Sequence, residues 1–138
     1  MIFDPRDVIE ANRKAVQVNP EDFFAYYNLA RAYQYQGNFQ EAALALQKAI
    51  LINPTDPFGQ HSLGEILLKL NQNEEARLCF LRALAQNTDF LPAYFSLARL
   101  LIQQGQLEES IPKLKKVIQL QPTFHQAYKY LAEVYCGI

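Results

Sequence analysis

The sequence predicts an all-α chain of stacked antiparallel helix hairpins, and three observations predict it. One pattern is written three times at a stride of 34 residues: QGNFQEAALALQKAILINP from Gln36, LNQNEEARLCFLRALAQNT from Leu70 and QGQLEESIPKLKKVIQLQP from Gln104. Around each copy the apolar residues fall into two batches at i, i+3, i+4, i+7 spacing, which draws a stripe down one side of a helix. Between the batches stand Gly37, Asn71 and Gly105, residue types that tolerate the left-handed backbone needed after a helix end. A fixed stride of this length holding two helices and a turn marks a repeat architecture.

The pattern places eight helices, at about 5–18, 22–36, 38–52, 56–70, 72–86, 90–104, 106–120 and 124–136. Three ungapped units of equal length, 23–56, 57–90 and 91–124, lie between a half unit at 5–22 and another at 125–138, all within a single domain. The first helix of a unit carries Tyr26, Leu29, Ala30 and Tyr33, matched by Tyr94, Leu97, Ala98 and Leu101 and by Tyr128, Leu131, Ala132 and Tyr135. In the middle unit the stripe is Gln60, Leu63, Gly64 and Leu67, without the aromatic anchor. The second helix carries Ala42, Leu46, Ala49 and Ile50, then Ala76, Phe80, Ala83 and Leu84, then Ser110, Leu114, Val117 and Ile118. Small positions let a neighbouring helix approach, and large ones fill the remaining volume.

The ends of the helices are signalled as well. Asp22, Asp56, Asp89 and Thr123 stand where the next first helix needs an N-cap, with Pro57 suited to its first turn. Pro20, Pro54 and Pro122 mark where the preceding helix stops. Glu41, Glu74, Glu75, Glu108 and Glu109 open the second helices while Lys48, Arg82, Lys115 and Lys116 lie further along, which suits the helix dipole. The run Lys113, Lys115, Lys116 therefore reads as a solvated face, and Pro112 falls near the first turn of its helix, with a slight kink at most.

Composition bounds the function. The 138 residues are 50% hydrophobic and 20% charged, enough for a folded domain that buries a sizeable core. Thirteen basic against fourteen acidic residues leave a net charge of −1, so no global field favours nucleic acid or an acidic membrane. No apolar run has the length of a membrane span, and the first residues lack a secretory signal. Cys79 and Cys136 form no paired framework. The expected setting is the reducing cytoplasm.

Tyr26, Leu29, Ala30, Tyr33, Gly37, Ala42, Leu46, Ala49 and Pro54 match the tetratricopeptide repeat position by position, and the sequence resembles a tetratricopeptide array over nearly its whole length. The middle unit, with Gln60 for the aromatic and Thr88 for the proline, departs furthest from the pattern. The resemblance implies a right-handed superhelical solenoid in which the first helices line a concave groove. It implies a protein- or peptide-binding scaffold rather than an enzyme, with no cofactor.

The groove side of the first helices then holds Phe24, Tyr27, Asn28, Arg31 and Tyr35, followed by Phe58, His61, Ser62, Glu65 and Lys69, then Phe95, Ser96, Arg99 and Gln103, then Lys129, Tyr130 and Glu133. Aromatic residues and arginine are the side chains that most often carry binding energy, which puts Tyr27, Arg31, Phe95 and Arg99 first. Several of these aromatics could equally pack against adjacent helices. Chaperone-binding members of the family grip a C-terminal carboxylate with Lys, Asn, Asn, Lys and Arg, whereas here the positions hold Tyr27, Arg31, Ser62, Pro92 and Ser96. The asparagine ladder of repeats attached to O-linked glycosyltransferases is matched by Asn28 alone, against Ser62, Ser96 and Tyr130.

Chemistry finds little footing. His61 and Glu65 sit one turn apart but have no second His or Cys nearby in sequence to complete a metal site. His125 reads as a surface residue, and the cysteines as inert thiols. Three functions remain in view: a groove that takes an extended segment or a helix of acidic or polar-aromatic character, to suit Arg31, Arg99 and Lys129; a recruiting or regulatory arm of a larger enzyme; and a self-assembly module that forms homo-oligomers through exposed terminal helices.

Overall fold

A computed structural model of the chain describes residues 4–137, which form eight helices and no strand. They are α1 (Pro5–Val18), α2 (Phe23–Tyr35), α3 (Phe39–Ile52), α4 (Pro57–Lys69), α5 (Asn73–Gln86), α6 (Leu91–Gln103), α7 (Leu107–Leu120) and α8 (His125–Gly137). The turns inside the hairpins explain why the helices end where they do. Gly37, Asn71 and Gly105 have φ of 78°, 60° and 79°. That backbone lets the following N–H reach back across the helix end: Asn38 to the Tyr33 carbonyl at 2.8 Å, Gln72 to Leu67 at 2.9 Å and Gln106 to Leu101 at 2.8 Å. Glycine adopts it without a Cβ clash, and asparagine is among the few other residues that do.

The links between hairpins end differently. Asn19, Asn53, Asn87 and Gln121 each take an extended backbone, with φ between −144° and −131°. A following proline disfavours the helical alternative at three of them. Asn87 adopts the same conformation before Thr88, so the proline reinforces the bend without being required for it.

Helix starts correct the sequence reading in one respect. The Asp22 carboxylate accepts from Ala25 N at 3.1 Å, and the Asp56 carboxylate from Phe58 N at 3.0 Å, as expected of N-caps. In α6, however, the cap position is Phe90, which supplies no side-chain cap, and α8 begins at His125, leaving Thr123 two residues outside. The 34-residue register puts the cap position at 22, 56, 90 and 124. At the last two a phenylalanine occupies it, and ring burial there displaces capping. Asp89 is used instead in an ion pair with Lys116, 3.5 Å away. Pro112 is the sixth residue of α7 and so lies beyond the first turn; the helix continues through it. Its missing N–H frees the Glu108 carbonyl, which an exposed stretch of helix can leave to water.

Consecutive helices pack antiparallel, each chiefly against the ones before and after it. The alternation of small and large residues is visible in the core, where Ala42, Ala49, Ala76, Ala83, Leu114 and Val117 have no exposed surface. Ile50, Leu84 and Ile118, the last members of that stripe, are half-buried. The middle unit solves the packing with a different pair. A Cβ on Gly64 would lie 2.5 Å from Phe80 Cε1, so the bare backbone of α4 rests on a ring where the flanking units oppose alanine to leucine. Gln60, standing where the neighbours carry tyrosine, is buried with its Oε1 lacking a hydrogen-bond partner. In α8 the corresponding stripe packs chiefly on α7, and Tyr128, Ala132 and Tyr135 are exposed.

Beyond consecutive neighbours, α4 and α6 also touch directly. On the other side α5 and α7 are held apart by a valley floored by Leu97 and Leu101 of α6 and edged by Arg77, Leu81, Glu109 and Pro112. The approach of α4 to α6 and the separation of α5 from α7 put the inner face of the curved stack on the even-numbered side at the centre of the array. No helix among the described residues is long and apolar enough to cross a membrane.

Candidate functional site

The inner face is built from one junction repeated three times. A residue in the second turn of an inner helix meets the N-cap residue of the next inner helix, 29 positions later. Tyr27 Oη donates to Asp56 Oδ2 at 3.4 Å, the His61 ring meets Phe90 at 5.9 Å, and the Phe95 ring meets Phe124 edge-on at 4.9 Å. Gly59 makes room for the first of these, since a Cβ there would come within 3.2 Å of Tyr27 Oη. Burial, with the Asp56 carboxylate alongside, pushes the Tyr27 phenol far above its usual range; a hydrogen bond from Ser62 opposes the shift. Tyr27 and Phe95, two of the residues favoured from sequence as ligand contacts, are thus half-buried structural rings. Phe95 is further enclosed by Tyr130 at 5.6 Å and by the Arg99 guanidinium, 5.6 Å above its ring.

At the centre, three predicted groove residues satisfy one another. Ser96, 2% exposed, donates from Oγ to Glu65 Oε1 at 2.5 Å. His61 Nε2 lies 2.9 Å from Ser96 Oγ and 3.4 Å from Glu65 Oε1. Burial raises the Glu65 pKa, but the hydrogen bonds from His61 and Ser96 and the positive charges of His61 and Arg99 outweigh it and hold the carboxyl below its ordinary value. The composition His, Ser, carboxylate is that of a hydrolytic triad, yet the order is not. One imidazole nitrogen faces both the serine and the carboxylate, and the carboxylate meets the serine directly, whereas in a triad the imidazole stands between them with one nitrogen toward each. The cluster ties α4 to α6. Among the described residues no group of three His, Cys, Asp or Glu is placed to hold a metal ion.

A depression of about 410 Å³ is lined by Val8, Asn28, Arg31, Ala32 and Tyr35. Arg31 is exposed, and no hydrogen bond or ion pair joins it to another described residue. Asn28 donates to Asn12 Oδ1 at 3.4 Å, and Asn12 in turn donates to the Val8 carbonyl at 2.8 Å, which fixes the amide beside Arg31. Phe24 and Tyr35 are 74% and 73% exposed, Phe58 is 61% exposed, and Lys129 is exposed on α8. Of the four residues favoured from sequence, Arg31 and Arg99 are both exposed and make no hydrogen bond or ion pair to another described residue; Arg99 lies over the Phe95 ring. Sequence reasoning missed Gly59, Phe90 and Phe124, although the recurring 29-residue offset of Tyr27 to Asp56, His61 to Phe90 and Phe95 to Phe124 was there to be read.

Cys79 is buried, and burial pushes its thiol pKa up, the direction of an unreactive cysteine.

A stack of helix pairs with this stride and inner face defines a class, and the class has a family. The tetratricopeptide repeat profile matches residues 23–56 and, in a second form, residues 61–135. The chain belongs to the tetratricopeptide repeat family. Among solved structures it is similar to MamA, with 25% identity and a TM-score of 0.86 over 94% of this chain and 75% of that one. It is also similar in fold to YrrB, a TPR protein with an unusual peptide-binding site (23% identity, TM-score 0.79, 96% of this chain and 68% of that one). The first TPR of Spaghetti (RPAP3), bound to the HSP90 peptide SRMEEVD, superposes with a TM-score of 0.79 at 20% identity, covering 83% of this chain and 94% of that one. No curated protein matches the sequence.

Proposed function

We propose that the chain is a protein-interaction module whose inner face, lined by α2, α4, α6 and α8, holds an extended segment or a helix of another polypeptide. We read it as three full repeats, 23–56, 57–90 and 91–124, between half repeats at 5–22 and 125–138. The observation that carries the reading is the collection of exposed aromatic and basic side chains, Phe24, Arg31, Tyr35, Phe58 and Lys129, on the one face where neighbouring inner helices converge. Large rings and guanidinium groups bury much area at low entropic cost and donate directed hydrogen bonds, so such a face suits a polypeptide better than a small molecule. Family membership supports the same reading, as do YrrB, which has a peptide-binding site, and the RPAP3 repeats, which carry an HSP90 peptide. That particular ligand does not carry over. Tyr27, Arg31, Ser62, Pro92 and Ser96 stand where chaperone-binding repeats carry their clamp, and Tyr27 and Ser96 are already engaged within the fold.

The test is capture of partners from native lysate by the intact chain and by Arg31→Glu. Reduced capture with unchanged helical spectrum and melting temperature is expected; equal capture would remove the inner face as the binding surface.

A further inference from the structure

The outer helices carry exposed apolar residues at one equivalent position, 34 residues apart: Leu44 on α3, Leu78 on α5 and Pro112 on α7. Leu44 and Leu78 are 54% and 50% exposed, and Leu81, one turn beyond Leu78, is 43% exposed. Single exposed leucines are ordinary on a protein surface, but the stacking of like hairpins sets these side by side in a row across the outer face. The α5–α7 valley makes the adjacency visible, with Leu81 on one edge and Pro112 on the other.

Charge is sorted on either side of that row. Toward the helix starts lie Glu41, Glu74, Glu75, Glu108 and Glu109; toward the helix ends lie Lys48, Arg82, Lys115 and Lys116. The helix dipole favours this order within each helix. It leaves most of these charges unanswered inside the chain, since no hydrogen bond or ion pair joins the five glutamates, Arg82 or Lys115 to another described residue. Lys116 is the exception, 3.5 Å from Asp89. An acidic row, an apolar row and a basic row in this order are self-complementary under one operation. A two-fold axis along the apolar row brings a second copy face to face with its helices antiparallel to the first, so the acidic side of each copy lies over the basic side of the other and the apolar row meets its own image. A two-fold axis along the helices would set acids on acids. About Leu78, Glu74 stands as far toward the helix start as Arg82 stands toward its end, so the two oppose each other across the contact. Glu108 and Lys116 do the same about Pro112, as do Glu109 and Lys115; on α3 Gln40 opposes Lys48, with Glu41 beside it.

We propose that the outer face is a dimer surface and that its occupant is a second copy of this chain in that antiparallel, two-fold arrangement. The inference is independent of the inner-face reading and adds to it: the two inner faces point away from each other, so one dimer offers two grooves, and a partner with two binding segments gains from both. Three outer helices give a row roughly 20 Å long. That is the small end of protein interfaces and suits a reversible dimer with a dissociation constant in the micromolar range or above.

The test is sedimentation equilibrium of the full chain from about 1 to 500 µM. A monomer–dimer equilibrium is expected, weakened at least about tenfold by Leu78→Glu and also weakened by added salt. Glu74→Lys and Arg82→Glu should each weaken it at least about fivefold, because each sets like charges across the contact twice. An equimolar mixture of those two variants should recover the native dimer mass, since each supplies the charge that the other has lost. These side chains are exposed, so circular dichroism should show every variant still helical, and Arg31→Glu should leave the dimer unchanged. A monomer mass at every concentration would overturn the proposal, and loss of partner capture in Leu78→Glu would then give the face to another polypeptide. A dimer left intact by Leu78→Glu would overturn it by placing the contact on another surface, and so would charge variants that stay monomeric when mixed.

Discussion

The two arginines of the inner face occupy the same place in their repeats and do different things. Arg31 lines a depression between α1 and α2, and no hydrogen bond or ion pair joins it to another described residue. Arg99 stands at a closed centre, where Phe95, Glu65, Ser96 and His61 have taken up one another's polar and aromatic surfaces. A repeat position is therefore a location and not a role. The role is set by the surroundings: Arg99 has the Phe95 ring beneath it, whereas Arg31 lines a depression.

The contrast can be broken most severely at the ring beneath the centre. Phe80 is fully buried, lies against Gly64 and carries the His61 ring 5.6 Å away. Phe80→Ala is expected to cost about 3–5 kcal/mol in chemical denaturation, through lost burial and the cavity left behind. Gly64→Ala, which pushes a methyl group into that ring, is expected to cost about 1–3 kcal/mol. Combining Gly64→Ala with Phe80→Leu restores the pairing used by Ala30 with Leu46 and Ala98 with Leu114, so the double variant should be more stable than the sum of the singles implies. Strict additivity would mean that the two residues do not share one packing site.

Polar substitutions sharpen the comparison at smaller scale. Glu65→Ala strips the acceptor from a buried serine and should destabilise by about 1–2 kcal/mol, whereas Arg31→Ala should change stability by less than about 0.5 kcal/mol. Equal costs would erase the distinction between the hydrogen-bonded centre and the depression beside Arg31. A pH series gives the sign independently. The folded pKa of Glu65 is lowered from the ordinary 4.5, so its contribution is fully present above that value and is lost as pH falls through the lower folded one. The stability gap between the native chain and Glu65→Gln should accordingly be widest near neutral pH and shrink in acid, while the gap for Arg31→Ala stays flat.

Much of the fold was legible in the sequence because its signals are local. Left-handed turns at Gly37, Asn71 and Gly105 require particular residue types, and the alternation of small and large residues follows helix geometry. The cap positions at Phe90 and Phe124 were not legible, because a ring sought by the preceding repeat overrode the local preference for Asp89 and Thr123. The groove was legible as a face and not as a site. Spacing alone puts His61, Glu65 and Ser96 on inner helices, but their mutual hydrogen bonds depend on how closely α4 and α6 approach, which is set by tertiary packing. For the same reason spacing left Tyr27 and Phe95 equally readable as ligand contacts or as rings packed on an adjacent helix.

The central claim is that the inner face of the stack is where a partner lies. Cross-linking of a captured partner through lysine, followed by mass mapping, tests it most directly, because lysines mark both sides: Lys69 and Lys129 on inner helices, Lys48 and Lys115 on outer ones. Links concentrated on Lys69 and Lys129 are expected, and they should disappear together with capture in Arg31→Glu. Links concentrated on Lys48 and Lys115, unchanged by that substitution, would place the partner on the outer face and contradict the claim.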